Sequence, residues 1–135
     1  MEDPRFVSWV RSEYEHATRM LGARSAQIVY LTSPCVRPAS VGFEASTIRQ
    51  FNDDVIRPLG LDRPAQVSVL DLFERVCDNG ELLDSVAGIQ NARPDGVHFS
   101  TRAYAWIAGW LGPEISALVE ARTGAARPPG ARSRP

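Results

Sequence analysis

Asp95 and His98 stand three residues apart in the stretch Arg93-Pro94-Asp95-Gly96-Val97-His98-Phe99-Ser100. A carboxylate that orients an imidazole, and an imidazole that takes a proton from a nucleophile, are two parts of the apparatus of a serine hydrolase. Pro94 and Gly96 mark the stretch as a turn. Ser100 is a natural N-cap for a helix that follows at once. Ser33, Ser68 and Ser100 are the nearest serines to consider as nucleophiles, but none sits on a Gly-flanked strand-to-helix turn of the nucleophile-elbow kind, so none is nominated. The second histidine, His16, lies on a polar stretch and reads as a surface residue.

The elements that must deliver this turn can be read in order. Asp3-Pro4 is a helix start, Asp as N-cap and Pro in the first turn. Phe6, Val10, Ala17 and Leu21 then recur at helical spacing, so a helix is expected from Pro4 to Leu21, with Gly22 as its stop. Residues 26–32, Ala-Gln-Ile-Val-Tyr-Leu-Thr, are apolar without alternation, as in a buried parallel strand. Ser33-Pro34-Cys35 ends it, and Val36–Val41 reads as a loop. Phe43 to Leu59 reads as a second helix with Ile48, Phe51, Val55 and Leu59 on one face. Val67–Leu72 is the second strand, which makes a βαβ unit. Residues 74–91 read as irregular, with one helical turn near Glu81–Val86. The last helix carries Tyr104, Ile107, Ala108 and Leu111 on one face. Gly112-Pro113 breaks or restarts it, and the pattern continues to about Arg122. The expected division is therefore a domain over residues 1–122 and a disordered Gly/Ala/Pro/Arg tail over 123–135.

Composition sets limits. The chain has 135 residues, 44% of them hydrophobic, and a formal net charge of −1, so one domain with a real core is possible. That charge gives no reason to expect nucleic acid or an anionic membrane surface as a partner. All 15 basic residues are Arg, which reads as the coding bias of a GC-rich genome. No signal peptide or membrane span is legible. No metal or organic cofactor is implied. Two parallel strands alone do not make a sound sheet. The chain therefore reads as one that lacks earlier strands or takes them from a partner, with self-association through the exposed edge as one route.

A strand ending in Thr32-Ser33-Pro34-Cys35, a helix with a central Asn52, a strand ending in Leu70-Asp71-Leu72, and then Asp95-Gly96-Val97-His98-Phe99-Ser100 before an apolar helix resemble the C-terminal half of the SGNH hydrolases, the GDSL-type esterases and lipases. The nearest likeness is to the domain found in envelope esterases and fused to bacterial membrane acyltransferases. The resemblance covers Pro4 to Ile115. It implies an α/β, flavodoxin-like three-layer sandwich, here without its N-terminal strands. It implies that His98 is the general base and Asp95 its orienting residue in acyl-ester hydrolysis or transfer, with O-acetylated envelope glycans as one substrate class. Full-length relatives are often in the cell envelope or outside the cell. The Gly-Asp-Ser turn and the Gly and Gly-x-Asn-Asp blocks have no counterpart, and Asn52-Asp53-Asp54 lies on a helix without the preceding Gly. The nucleophile and oxyanion donors would thus come from outside this stretch. The alternative reading is an inactive fragment or pseudoenzyme that serves as a protein-interaction module.

Cys35 and Cys77 follow the first and second strands. Adjacent parallel strands lie ~4.8 Å apart, so the two loops can meet. The thiols either form a disulfide, which implies an exported full-length protein, or stay reduced. Tyr104, Trp106 and Trp110 could line an acyl pocket or fill the core.

Overall fold

The chain's computed structural model describes residues 3–37 and 45–125. Helix α1 spans Pro4–Leu21, and the Asp3 carboxylate accepts from the Arg5 N–H at 2.8 Å. Strand β1 is Ile28–Leu31. Helix α2, Ala45–Phe51, runs through a wider π-helical turn, Asn52–Ile56, into α3, Arg57–Asp62. Strand β2 is Val67–Leu70, followed by the short helix α4, Leu72–Val76. Two small hairpins come next: β3 Cys77–Asp78 with β4 Glu81–Leu82, and β5 Ser85–Val86 with β6 Ile89–Gln90. Helix α5 is Thr101–Ala125.

Strands β1 and β2 pair in parallel, Ile28 opposite Val67 and Leu31 opposite Leu70. Among the described residues they are the whole of that sheet. One face carries Ile28, Tyr30, Val67 and Val69, and it packs on Tyr14 of α1 and the fully buried Leu59 of α3. The other face carries Val29 and Ser68, and with Ile115, Leu118, Val119 and Arg122 near the end of α5 it lines a cavity of about 210 Å³. Arg122 Nη2 donates to Ser68 Oγ at 3.0 Å, which fastens that helix across the strands. A separate apolar core lies under the hairpins, where Leu72, Val76, Val86 and Ala92 meet Ala103 and Ile107 of α5.

Several expectations change. Phe6, Ala17 and Leu21 are exposed, so the stripe expected on α1 is not the one that packs; Phe6 is 49% and Leu21 62% exposed. The packed stripe is Val7, Arg11, Tyr14 and Thr18, spaced at four, three and four residues. Tyr14 and Thr18 escape an apolar-period reading because each has a polar tip. Inside the fold Thr18 Oγ1 donates to the Tyr14 carbonyl at 2.6 Å and shares a 2.9 Å bond with Tyr30 Oη.

The α5 face shifts likewise. Ala103, Trp106, Ile107, Trp110 and Leu111 pack, whereas Tyr104 and Ala108 face outward. Pro113 does not break the helix. An interior proline costs ~3 kcal/mol, but α5 is held on both sides of it, by the packing of Trp110 and Leu111 before and by the Arg122 hydrogen bonds to Ser68 Oγ and the Ala65 carbonyl after.

No helical turn forms at Glu81–Val86, and Leu72 belongs to α4 rather than to β2. The hairpin turns explain the first difference. Asn79 and Gly80 have φ of 49° and 90°, and Ala87 and Gly88 have 50° and 76°. Two successive left-handed residues are what a two-residue hairpin loop with the right twist requires. The expected start of the second helix at Phe43 and most of the Val36–Val41 loop lie outside the described residues. So does most of the expected tail, although α5 reaches Ala125, three residues into it.

Candidate active site

The Asp95–His98 pair sits on a closed loop. The Ser100 N–H donates to the Ala92 carbonyl at 2.8 Å and pins the two ends together. Within the loop the Gly96 N–H donates to the Arg93 carbonyl at 3.0 Å, and Gly96 takes φ 80°, a conformation that costs glycine little. The Asp95 side chain is held from three directions. Its Oδ1 accepts from the Val97 N–H at 2.8 Å and from the His98 N–H at 2.7 Å, while Oδ2 lies 2.6 Å from His98 Nδ1. The His98 hydrogen bond, then the two backbone N–H bonds, hold the Asp95 carboxyl well below the usual carboxylate range. It is therefore ionised at neutral pH and accepts from Nδ1–H. In the neutral ring that leaves Nε2 as the nitrogen with an available lone pair. The His98 side chain is 76% exposed. Asp95 and His98 are thus brought together, carboxylate against imidazole.

Ser100 caps α5, its Oγ accepting from the Ala103 N–H at 3.3 Å. Ser68 Oγ accepts from Arg122 on the α5-facing side of the sheet. Among the described residues no serine hydroxyl bonds to the His98 ring. His16 is exposed on α1.

Asn52 is fully buried in the π-helical turn, and its amide is committed to the loop after β1. Its Oδ1 accepts from the Ser33 N–H and its Nδ2 donates to the Ser33 carbonyl, both at 2.8 Å. The preceding position, Thr32, is also fully buried. Its Oγ1 donates to Asp71 Oδ1 at 2.8 Å and accepts from the Phe73 N–H at 2.8 Å. The C-terminal ends of β1 and β2 are thereby stitched together.

Cys35 and Cys77 are joined in a disulfide with their Cα atoms 6.0 Å apart. Trp106 and Trp110 pack on the α5 core and share the Arg75 guanidinium, 5.0 and 4.7 Å from their ring centres. They are half-buried core residues with a cation–π cover. Tyr104 stands outside and meets Phe99 edge-on at 5.6 Å. A cleft of about 500 Å³ lies between α1 and the π-helical turn, lined by Arg11, Asp53 and Asp54, and His98 is not among its walls.

One residue beside the pair escapes a sequence reading. Arg93 is 3% exposed, and its guanidinium stacks 4.0 Å from the Phe99 ring centre. Its Nη1 donates to the Cys35 carbonyl. Burial pulls its pKa down to about 10, which leaves it charged at neutral pH. When every basic residue is Arg, one buried Arg does not stand out, so nothing in the residue types singles it out.

Comparison with family models, curated proteins and solved structures matches this chain to none of them.

Proposed function

We propose that this chain is the C-terminal part of a serine esterase or O-acyl transferase of the SGNH type and supplies the His-Asp arm of its triad. The observation that carries the reading is the Asp95–His98 pair, with its ionised carboxylate held by three hydrogen bonds and its imidazole open to solvent. In this chemistry a serine oxygen attacks the ester carbonyl while His98 Nε2 takes its proton. Asp95 steadies the imidazolium that forms. His98 then returns the proton to the leaving alkoxide. Water, or a sugar hydroxyl in a transferase, resolves the acyl-enzyme. In this reading the serine and the oxyanion donors come from strands outside this chain, and the sheet, two-stranded among the described residues, gives them a place to dock. Acyl esters, with O-acetylated glycans among them, are the substrate class. The Cys35–Cys77 disulfide suits an oxidising compartment.

The test is ester turnover by a protein that contains both this chain and a serine-bearing half. His98→Ala should lower kcat by about 10⁴–10⁶-fold. Turnover retained in that variant would remove His98 from the mechanism.

A second reading rests on the absence, among the described residues, of any hydroxyl bonded to His98. In it the chain is an inactive module that pairs through its sheet edge. A monodisperse dimer in sedimentation, with no hydrolase activity when the chain is mixed with a serine-bearing half, would favour it.

A further inference from the structure

We propose that Arg93 and the Cys35–Cys77 disulfide form a brace that positions the Asp95–His98 turn, with Arg93 as a positioning residue. The inference deepens the esterase reading, since it concerns how the base of that triad is held.

The hydrogen bonds within the turn fix Asp95 to its own backbone, but they do not fix the turn to the sheet. Pro94, Asp95 and His98 are all exposed and give the turn little packing of its own. Two hydrogen bonds reach across from the segment that follows β1. Arg93 Nη1 donates to the Cys35 carbonyl, and the Arg37 N–H donates to the Gly96 carbonyl at 2.9 Å. The second lands at the centre of the turn, between Asp95 and His98. The segment that makes both contacts is itself held. Cys35 is fully buried and bonded to Cys77, the first residue of the hairpin after α4. A continuous path thus runs from α4 through the disulfide to Cys35, and from there to Arg93 and to Gly96.

Arg suits this position better than Lys. Its flat guanidinium lies against Phe99 while an edge nitrogen donates to the carbonyl, whereas an ammonium would give up the stacked face. The mechanistic weight is large, because a base displaced by ~1 Å from its reacting partner can cost about 10²-fold in rate.

The experiment reads His98 directly and does not require turnover. Long-range ¹H–¹⁵N spectra of the ¹⁵N-labelled chain distinguish Nδ1–H from Nε2–H, and His16 on α1 serves as an internal control. The oxidised wild type should show His98 as the Nδ1–H tautomer with a slowly exchanging Nδ1–H. Arg93→Met should abolish that slow proton and lower the Nδ1–H to Nε2–H ratio at least tenfold, with His16 unchanged. Arg93→Lys should fall between the two. Dithiothreitol should act as Arg93→Met does. It gives two electrons to the disulfide and closes to its own cyclic disulfide, while Cys35 and Cys77 are left as thiols. Arg37→Pro removes the N–H that donates to the Gly96 carbonyl at an otherwise exposed residue and should also loosen His98; it decides the matter if Arg93→Met does not fold. An unchanged His98 signature in the reduced wild type and in the folded variants would overturn the proposal. That result would leave the esterase reading standing. Loss of the signature in a protein shown to have no esterase activity would keep the brace and discard the esterase.

Discussion

Reduction of the Cys35–Cys77 disulfide gives the prediction whose size can be worked out from the fold. The bridge joins positions 42 residues apart. In the loop-closure model a cross-link of that span removes entropy from the unfolded chain worth about 4 kcal/mol at 25 °C. Domains of this size are stable by only about 5–15 kcal/mol, so the loss is a large share of the total. It should lower Tm by about 10–20 °C. Reduction tests this better than replacement. Cys35 is fully buried, and Cys35→Ala would add the cost of a cavity to the cost of the missing bond. The assay is guanidinium unfolding of oxidised and reduced wild type, followed by tryptophan emission, since Trp106 and Trp110 are half-buried against the core. The reduced chain should unfold at lower denaturant, with a steeper transition because its unfolded state is freer to expand. Stabilities that agree within about 0.5 kcal/mol would refute the reasoning and mean that the loop is already constrained in the unfolded state.

Two further outcomes follow from individual contacts. Asn52→Ala should cost about 2–4 kcal/mol, because it leaves the Ser33 N–H and carbonyl without their partner; urea unfolding measures it, and a loss below about 1 kcal/mol would mean that other groups satisfy Ser33. Asp95 has a folded-state pKa below its unfolded value of ~3.9, so it contributes stability above that value and loses it as pH falls through the lower folded value. Asp95→Asn should therefore flatten the stability profile below about pH 4 and leave its shape near neutral pH unchanged; an identical acid limb in the variant would contradict this.

The backbone pattern was more legible than the packing. Asp3-Pro4 and Gly22 place α1 correctly because caps and breakers act through the local chain. The two parallel strands are legible because burial on both faces leaves an unbroken apolar run, Ile28-Val29-Tyr30-Leu31. The faces of α1 and α5 are not, because tertiary contacts chose Tyr14 and Thr18 over Phe6 and Leu21, and Trp106 and Trp110 over Tyr104. Asn79-Gly80 is a hairpin signal in its own right, and it outweighs the weak helical spacing of Glu81–Val86. At the site, the Asp95–His98 pairing is written in a local turn and so can be read from spacing. Arg93, Asn52 and Thr32 act across 58, 19 and 39 residues of sequence, on Cys35, Ser33 and Asp71. No local pattern reports contacts at such range.

The most direct test of the central claim is labelling with a serine-directed fluorophosphonate in a protein that carries this chain and a serine-bearing half, read by mass spectrometry of the modified peptide. The account predicts one labelled serine outside these 135 residues, with labelling abolished by His98→Ala and sharply slowed by Asp95→Asn. Labelling that is indifferent to His98, or no labelled serine at all, would contradict it.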